Sequence, residues 1–406
     1  MKRTQTRIAA ALLVVAVVLT GCGSDKGEDG PLPEPPTTAA ADLRVSLDLL
    51  FRENVFLLGL ETENALTGQS KAFEAASDAL EENTLAIGDR FERTYAARAE
   101  RGFLTAWRPY TDLIASYAGL VRRNPKAAKA AQVDKAFGKA AGKVAAFAGG
   151  LTPLISPRIF GGRMRDLITS MRAVADAQVA KDYKKADAAL RTAADRAGDI
   201  AAIFARAFAD DVPAIYRGDP LSPAAALRAE LTARLVEHVY LAGFTAENLL
   251  TGQSKPRDGA KVALEAATAA LSKVIGGTYG AEAEKSFLRL WKRGVDLLLA
   301  YPGVAKDKAK LDKVREDLQQ YATDAAGFLK GLNADLEPSA IERIIGDHAT
   351  AMAVAFDSQA AGDFKKADLR LRAAAAQLET LASALATAAV RRFPARFRVQ
   401  TSGLNS

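Results

Sequence analysis

The chain is poor in the residues that most often carry chemistry: it has one cysteine, two histidines and two tryptophans among 406 residues. With Cys22 alone, an internal disulfide, a thiolate metal cage and a paired-cysteine redox site are all excluded. No Ser-His-Asp ordering, H-E-x-x-H word or glycine-rich nucleotide fingerprint is present. Strand-like alternation is absent too, and after the N-terminal segment no second unbroken apolar run of 18 residues occurs. Charge of one sign is only slightly in excess, with a formal net charge of +7 and acids and bases interleaved throughout. That balance gives little support to a nucleic-acid partner.

What is present begins at the N-terminus. Lys2, Arg3 and Arg7 precede an uncharged apolar run from Ile8 to Leu19. At about 12 residues it falls short of the roughly 20 that a membrane-spanning helix needs. Leu19-Thr20-Gly21-Cys22 follows at once and resembles the lipobox of bacterial lipoproteins. The resemblance implies diacylglycerol on the Cys22 thiol and cleavage before it, which leaves no free thiol as a nucleophile or ligand. Membrane lipid is thus one partner, and the address is the extracytoplasmic face of the cell membrane. Removing residues 1–21 takes away three positive charges and lowers the net charge to about +4. Residues 22–41, with Pro-Glu-Pro-Pro and little to bury, read as a lipidated flexible tether.

The rest of the chain repeats itself. LRVSLDLLFRENVFLLGLETENALTGQSK from Leu43 returns as LRAELTARLVEHVYLAGFTAENLLTGQSK from Leu227, an offset of 184 residues. Phe103, Trp107 and Tyr117 match Phe287, Trp291 and Tyr301 at the same offset. DAQVAKDYKKAD from Asp176 matches DSQAAGDFKKAD from Asp357 at an offset of 181. Ordered words at nearly constant spacing indicate two homologous domains, 42–216 and 226–400, joined by a linker at 217–225 and followed by a tail at 401–406. Alanine-rich segments with apolar residues every three or four positions predict an all-α fold, each copy an antiparallel bundle of five or six helices. Leu231, Leu235, His238, Ala242, Thr245 and Leu249 form one such stripe. Gly68 and Gly252 suit helix C-caps, and Ser70 and Ser254 suit the next helix starts. Pro153, Pro157 and Pro338 suit helix entrances.

The candidate ligand-binding or metal-ligating residues are His238 and His348, with Glu237 and Glu247 supplied from nearby turns. Neither histidine has a glutamate three residues before it, as a carboxylate-bundle metal site would. Each has an adjacent acid, about 100° away around a helix, which does not chelate one ion with it. The first copy carries Asn54 and Leu167 at the histidine positions, so duplication did not deliver two equivalent sites. The EHVYLAGFTAENLL, FLRLW and DSQAAGDFKKAD segments resemble an uncharacterised bacterial family of secreted helical repeats, some of which carry copper-amine-oxidase-like names. The resemblance implies three histidines per copy: one like His238, one after the tryptophan segment, where Gly294 and Tyr110 stand here, and one like His348.

Two functions follow as expectations. One is a noncatalytic, membrane-anchored binding or scaffold lipoprotein for an envelope protein or small ligand, with an exposed groove preserved in both domains. The other is a copper- or iron-binding envelope protein in which His238 and His348 converge with each other or with carboxylates.

Overall fold

A computed structural model describes residues 32–129 and 131–398. Residues 1–21, Cys22 and the 401–406 tail, on which the processing and anchoring expectations rest, lie outside that range. The helices are α1 (Ala39–Thr67), α2 (Ser70–Tyr95), α3 (Ala97–Arg123), the single turn α4 (Pro125–Ala128), α5 (Ala131–Leu151), α6 (Pro157–Val179) and α7 (Tyr183–Asp211). They are followed by α8 (Pro223–Leu250), α9 (Ser254–Tyr279), α10 (Ala281–Val304), α11 (Lys308–Leu332), α12 (Pro338–Ala360) and α13 (Phe364–Arg392). The protein is all-α, and no strand occurs among the described residues.

The repeated words are the punctuation of this architecture. Thr-Gly-Gln ends α1 and α8: Gly68 and Gly252 take φ of 79° and 73°, and the Gln69 and Gln253 amides return to the Asn64 and Asn248 carbonyls. Lys181-Asp182 and Gly362-Asp363 do the same after α6 and α12 and then start a new helix. The Asp182 and Asp363 carboxylates accept from the Lys185 and Lys366 amides at 3.3 and 3.2 Å. Pro157, Pro223 and Pro338 occupy first helical turns, where no amide partner is lost. Ser70 and Ser254 are first helical residues rather than caps, because Gln69 and Gln253 hold the cap positions.

In each half one long helix is surrounded by the others: α1 packs on α2, α3, α6 and α7, and α8 on α9, α10, α12 and α13. Both are buried on every side, which hides the expected one-sided stripe; Leu249, at its end, is in fact exposed. Gly59 and Gly243 make the close packing possible. A Cβ at either would lie 2.6 Å from Leu190 or 2.7 Å from Leu371, at equivalent places on α7 and α13. The Gln178 and Gln359 side chains donate to the carbonyls of the same two glycines.

Hydrophobic packing continues from one half into the other, through α1 against α8, α7 against α9 and α2 against α13. These contacts are reciprocal, the signature of a two-fold relation between the halves. Phe56 and Tyr240, equivalent positions, stack on each other with centroids 5.3 Å apart. The segment before α1 is also docked. Glu34 accepts from the Asp219 amide at 2.9 Å, and the Pro36 carbonyl accepts from Arg228 at 3.1 Å. The end of the segment read as tether is therefore folded, and α1 and α8 begin three residues before the repeat limits expected at 42 and 226. By length and composition α13 could cross a membrane, but 56% of its apolar window is buried inside the bundle.

Candidate functional site

The four sequence candidates fall in two places. Glu237 and Glu247 face the first half. Glu237 pairs with Arg191 of α7 and, at 3.2 Å, with Arg234. Its counterpart Glu53 accepts from Arg372 of α13, the counterpart of Arg191, and from Tyr240 at 2.8 Å. Asn64 donates to Glu247 at 3.1 Å while Asn248 donates to Glu63 at 2.9 Å, the same bond made twice across the two-fold.

Beside these bonds lie Asp187 and Asp368, again equivalent. Glu63, Glu247, Asp187 and Asp368 are all at least 93% buried. Burial pushes Glu63 up to about 7, against the Asn248 bond that favours its charge. It pushes Glu247 up to about 8, with Asp368 and Glu63 adding to the rise. Asp368 rises to about 7 by burial, and Asp187 rises well above its ordinary value by burial and the nearby Glu63. Burial thus favours the protonated form at all four, because charges there would have little water, and Arg372 opposes it only at Asp368.

His238 and His348 lie instead inside the core of the second half, 2% and 5% exposed. The Trp291 indole donates to His238 Nδ1 at 3.4 Å, as the Trp107 indole donates to Asn54 Oδ1 at 3.2 Å in the first half. His238 is thereby an acceptor in a conserved architectural slot. Burial, and then the nearby His348, holds it down to about 3. His348 Nδ1 lies 3.3 Å from the Ala374 carbonyl, its Nε2 has no partner, and burial holds the ring down to about 4. The third histidine position is closed: a Cβ on Gly294 would lie 2.4 Å from the Tyr321 ring. Tyr321 of α11 takes the bulk that Tyr110 of α3 supplies in the first half, where Ala140 stands opposite. Glu237 and Glu247 do not join the histidines, and no three His, Cys, Asp or Glu side chains among the described residues form a metal-holding group.

A third place was not singled out in the sequence. α10, α11 and α12 enclose a groove of about 530 Å³ whose floor includes Leu318, Ala322, Ala349 and Ala353. Tyr301, Arg315, Glu342, Arg343, Asp347 and Asp357 supply its polar rim. The counterpart in the first half is filled. Arg172 lays its guanidinium 5.1 Å from the Tyr117 ring centre and 4.9 Å from that of Phe137, and pairs with Asp134 at 2.7 Å. At the matching positions the second half has Ala353 for Arg172, Leu318 for Phe137, Ala349 for Ile168 and Arg315 for Asp134. This groove is therefore not shared by the two halves, which differ at it through these replacements. Large-to-small changes at an offset of 181 are visible in the sequence, but only the fold shows that they share one wall.

Compared with known proteins, the chain matches no protein-family model, no curated protein and no solved structure.

Proposed function

We propose that this is a noncatalytic binding module, tethered through lipidated Cys22 to the outer face of a membrane, which captures a small ligand in the groove between α10, α11 and α12. The observation that carries the reading is the divergence of the two halves. The order of the long helices, the glycine and aspartate caps, the stacked Phe–Trp pair and the reciprocal interface bonds are kept in both, while the cluster that fills the first groove is replaced by smaller residues in the second. A cavity of about 530 Å³ is in the range of small-molecule sites. Its mixed floor and polar rim suit binding and orientation, and the reading requires no nucleophile or base. In it the first half is the support that holds the second, through reciprocal ion pairs and the buried acid layer.

The test is a thermal-shift screen of a small-metabolite library against the wild type and a filled variant, Leu318→Phe/Ala349→Ile/Ala353→Arg, which borrows the first half's own residues. Compounds that stabilise the wild type and leave the filled variant unmoved support the reading. A screen in which every stabilising compound acts equally on both would refute it.

A second reading, a copper- or iron-binding envelope protein, is favoured by one observation: the buried His348 Nε2 has no partner, and His238 lies close enough to feel its charge. Metal analysis of the purified protein beside His348→Leu separates the two readings, because stoichiometric metal lost in that variant belongs to the second alone.

A further inference from the structure

The excess of positive charge is gathered on one side of the first half. Residues 97–151, which form α3, α4 and α5, hold ten lysines and arginines against three acids, Glu100, Asp112 and Asp134. That excess of seven equals the formal net charge of the whole chain. The equivalent stretch of the second half, residues 281–332, holds ten against eight. There Lys285 meets Glu282 at 2.9 Å, Lys313 meets Asp317 at 2.8 Å and Arg293 meets Asp324 at 2.6 Å. In the first half Arg108 pairs with Glu81 of α2, and the other nine cations are exposed and make no ion pair among the described residues.

Lys135, Lys139 and Lys143 recur every four residues along one face of α5, with Gly138, Gly142 and Ala146 exposed beside them. A hollow of about 560 Å³ between α3 and α5 is lined by Arg98, Arg101 and Lys143 and by no acid. The three acids are engaged elsewhere. Asp134 pairs with Arg172 of α6 at 2.7 Å, Glu100 packs against Gly88 of α2, and Asp112 lies near Glu61 of α1. On the next helix, α6, exposed Arg158 and Arg165 outnumber Asp166, while the acids of α2 lie beyond Arg108 on the opposite flank of α3. The fold does not require these cations: Lys135, Lys139, Lys143 and Arg98 correspond to Glu316, Gln320, Asp324 and Glu282 in the second half.

The face reaches the end of the bundle where the described chain begins. Glu34 accepts from the Asp219 amide at 2.9 Å, the Ala40 amide donates to the Arg217 carbonyl at 3.0 Å, and the Tyr216 and Thr94 hydroxyls bond at 2.9 Å. Thr94 closes α2, so Arg98 and Arg101 on the first turns of α3 stand at this end, and Phe147 against Gly102 brings Lys143 to it. Ten residues separate Cys22 from Leu32, at most about 35 Å of extended chain.

We infer that this face of α3 and α5 lies on the membrane surface, its cations against the phosphates of anionic lipids. The inference rests on the anchored reading for its nearness to lipid and is independent of what the groove of the second half holds. Each basic residue close to an anionic surface strengthens attachment about fivefold, an effect that salt screens. A basic patch of this kind supplies a second attachment beside acyl chains. The aromatic rings of α3 and α5 are buried or half-buried, which leaves nucleic-acid bases no platform to stack on.

The test uses the full chain in phosphatidylcholine vesicles, with or without a minor share of phosphatidylglycerol, at low and high salt. Lysines are acetylated by a water-soluble reagent and read one by one by mass spectrometry; neither lipid carries a competing primary amine. In anionic vesicles at low salt, Lys135, Lys139 and Lys143 are expected to react several-fold more slowly than in neutral ones. Lys308 and Lys313 of the second half should be unchanged, and high salt should erase the difference. The variant Lys135→Glu/Lys139→Gln/Lys143→Asp, which borrows the second half's residues, should weaken the contact on the order of a hundredfold, read as lost protection at Lys126 and Lys129. Equal reactivity in the two kinds of vesicle overturns the inference. Protection by duplex DNA where anionic vesicles give none also overturns it and makes the face a nucleic-acid surface. Flotation with neutral vesicles reads the anchor separately. A chain that floats with anionic vesicles alone, and only at low salt, keeps the face and overturns the tether.

Discussion

Replacing Glu247 by glutamine is expected to make the protein more stable, and more so as pH rises. Glu247 is 4% exposed, accepts one bond from Asn64, and has its acid held up to about 8 from an ordinary 4.5. Between those two values the folded chain keeps the proton and the unfolded chain releases it. Stability must therefore fall as pH rises through that window and level off above it. At pH 7 the unfolded chain gains about 3 kcal/mol from this one ionisation, and at pH 5 less than about 1 kcal/mol. Glutamine keeps the oxygen that Asn64 needs and cannot ionise. Glu247→Gln is thus expected to gain about 2 to 3 kcal/mol at pH 7, little at pH 5, and to shed close to one proton of the pH slope between them. The lower end of that range allows for Glu63 and Asp368, which share the same buried layer. Urea unfolding followed by tryptophan fluorescence at pH 5, 6, 7 and 8 measures all three quantities. A variant less stable than wild type at pH 7, or one with an unchanged slope, would show that Glu247 is ionised in the folded protein and that the layer is a set of paired charges.

Other perturbations test other parts. His238→Asn gives the Trp291 indole the amide acceptor that Asn54 provides to Trp107, so it is expected to stay within about 1 kcal/mol of wild type at pH 8. Because buried His238 is held down to about 3, the unfolded chain alone takes up its proton below about 6.5, and wild-type stability falls with acid. The variant should consequently gain about 2 kcal/mol on wild type by pH 5, read in the same urea series. Gly243→Ala places a methyl group 2.7 Å from Leu371 and is expected to cost about 1 to 3 kcal/mol, whereas Gly277→Ala on the exposed side of α9 should cost nothing measurable. Cys22→Ala should abolish incorporation of labelled palmitate and leave the chain unprocessed, which gel mobility and membrane fractionation report together.

Much of the fold was legible because its instructions are local. Thr-Gly-Gln and Asp-Tyr-Lys-Lys, the second returning as Asp-Phe-Lys-Lys, act within one helical turn, through a left-handed residue and a side-chain cap, so their repetition announces repeated helix ends. The asparagine or histidine near the middle of the first helix and the tryptophan 53 residues later share an indole bond in both halves, a pairing that only the packing reveals and that places His238 in the core. The acid layer was not legible in this way. Glu63 and Glu247 look like ordinary helix acids, and their burial comes from α1 and α8 lying against each other, a contact between residues 184 apart.

The sequence by itself determined the helices, their order, their caps and the duplication, since each depends on neighbours a few residues away or on comparison of one half with the other. Only the tertiary structure decided what faces what. It turned two related bundles into a reciprocal pair with buried carboxylates at their junction, parted His238 and His348 from Glu237 and Glu247, and closed the Gly294 position with Tyr321. It also gathered Ala349 and Ala353 from α12 with Leu318 and Arg315 from α11 on one open groove. Packing brings those residues together across two helices and a turn, and no periodicity within either helix records it.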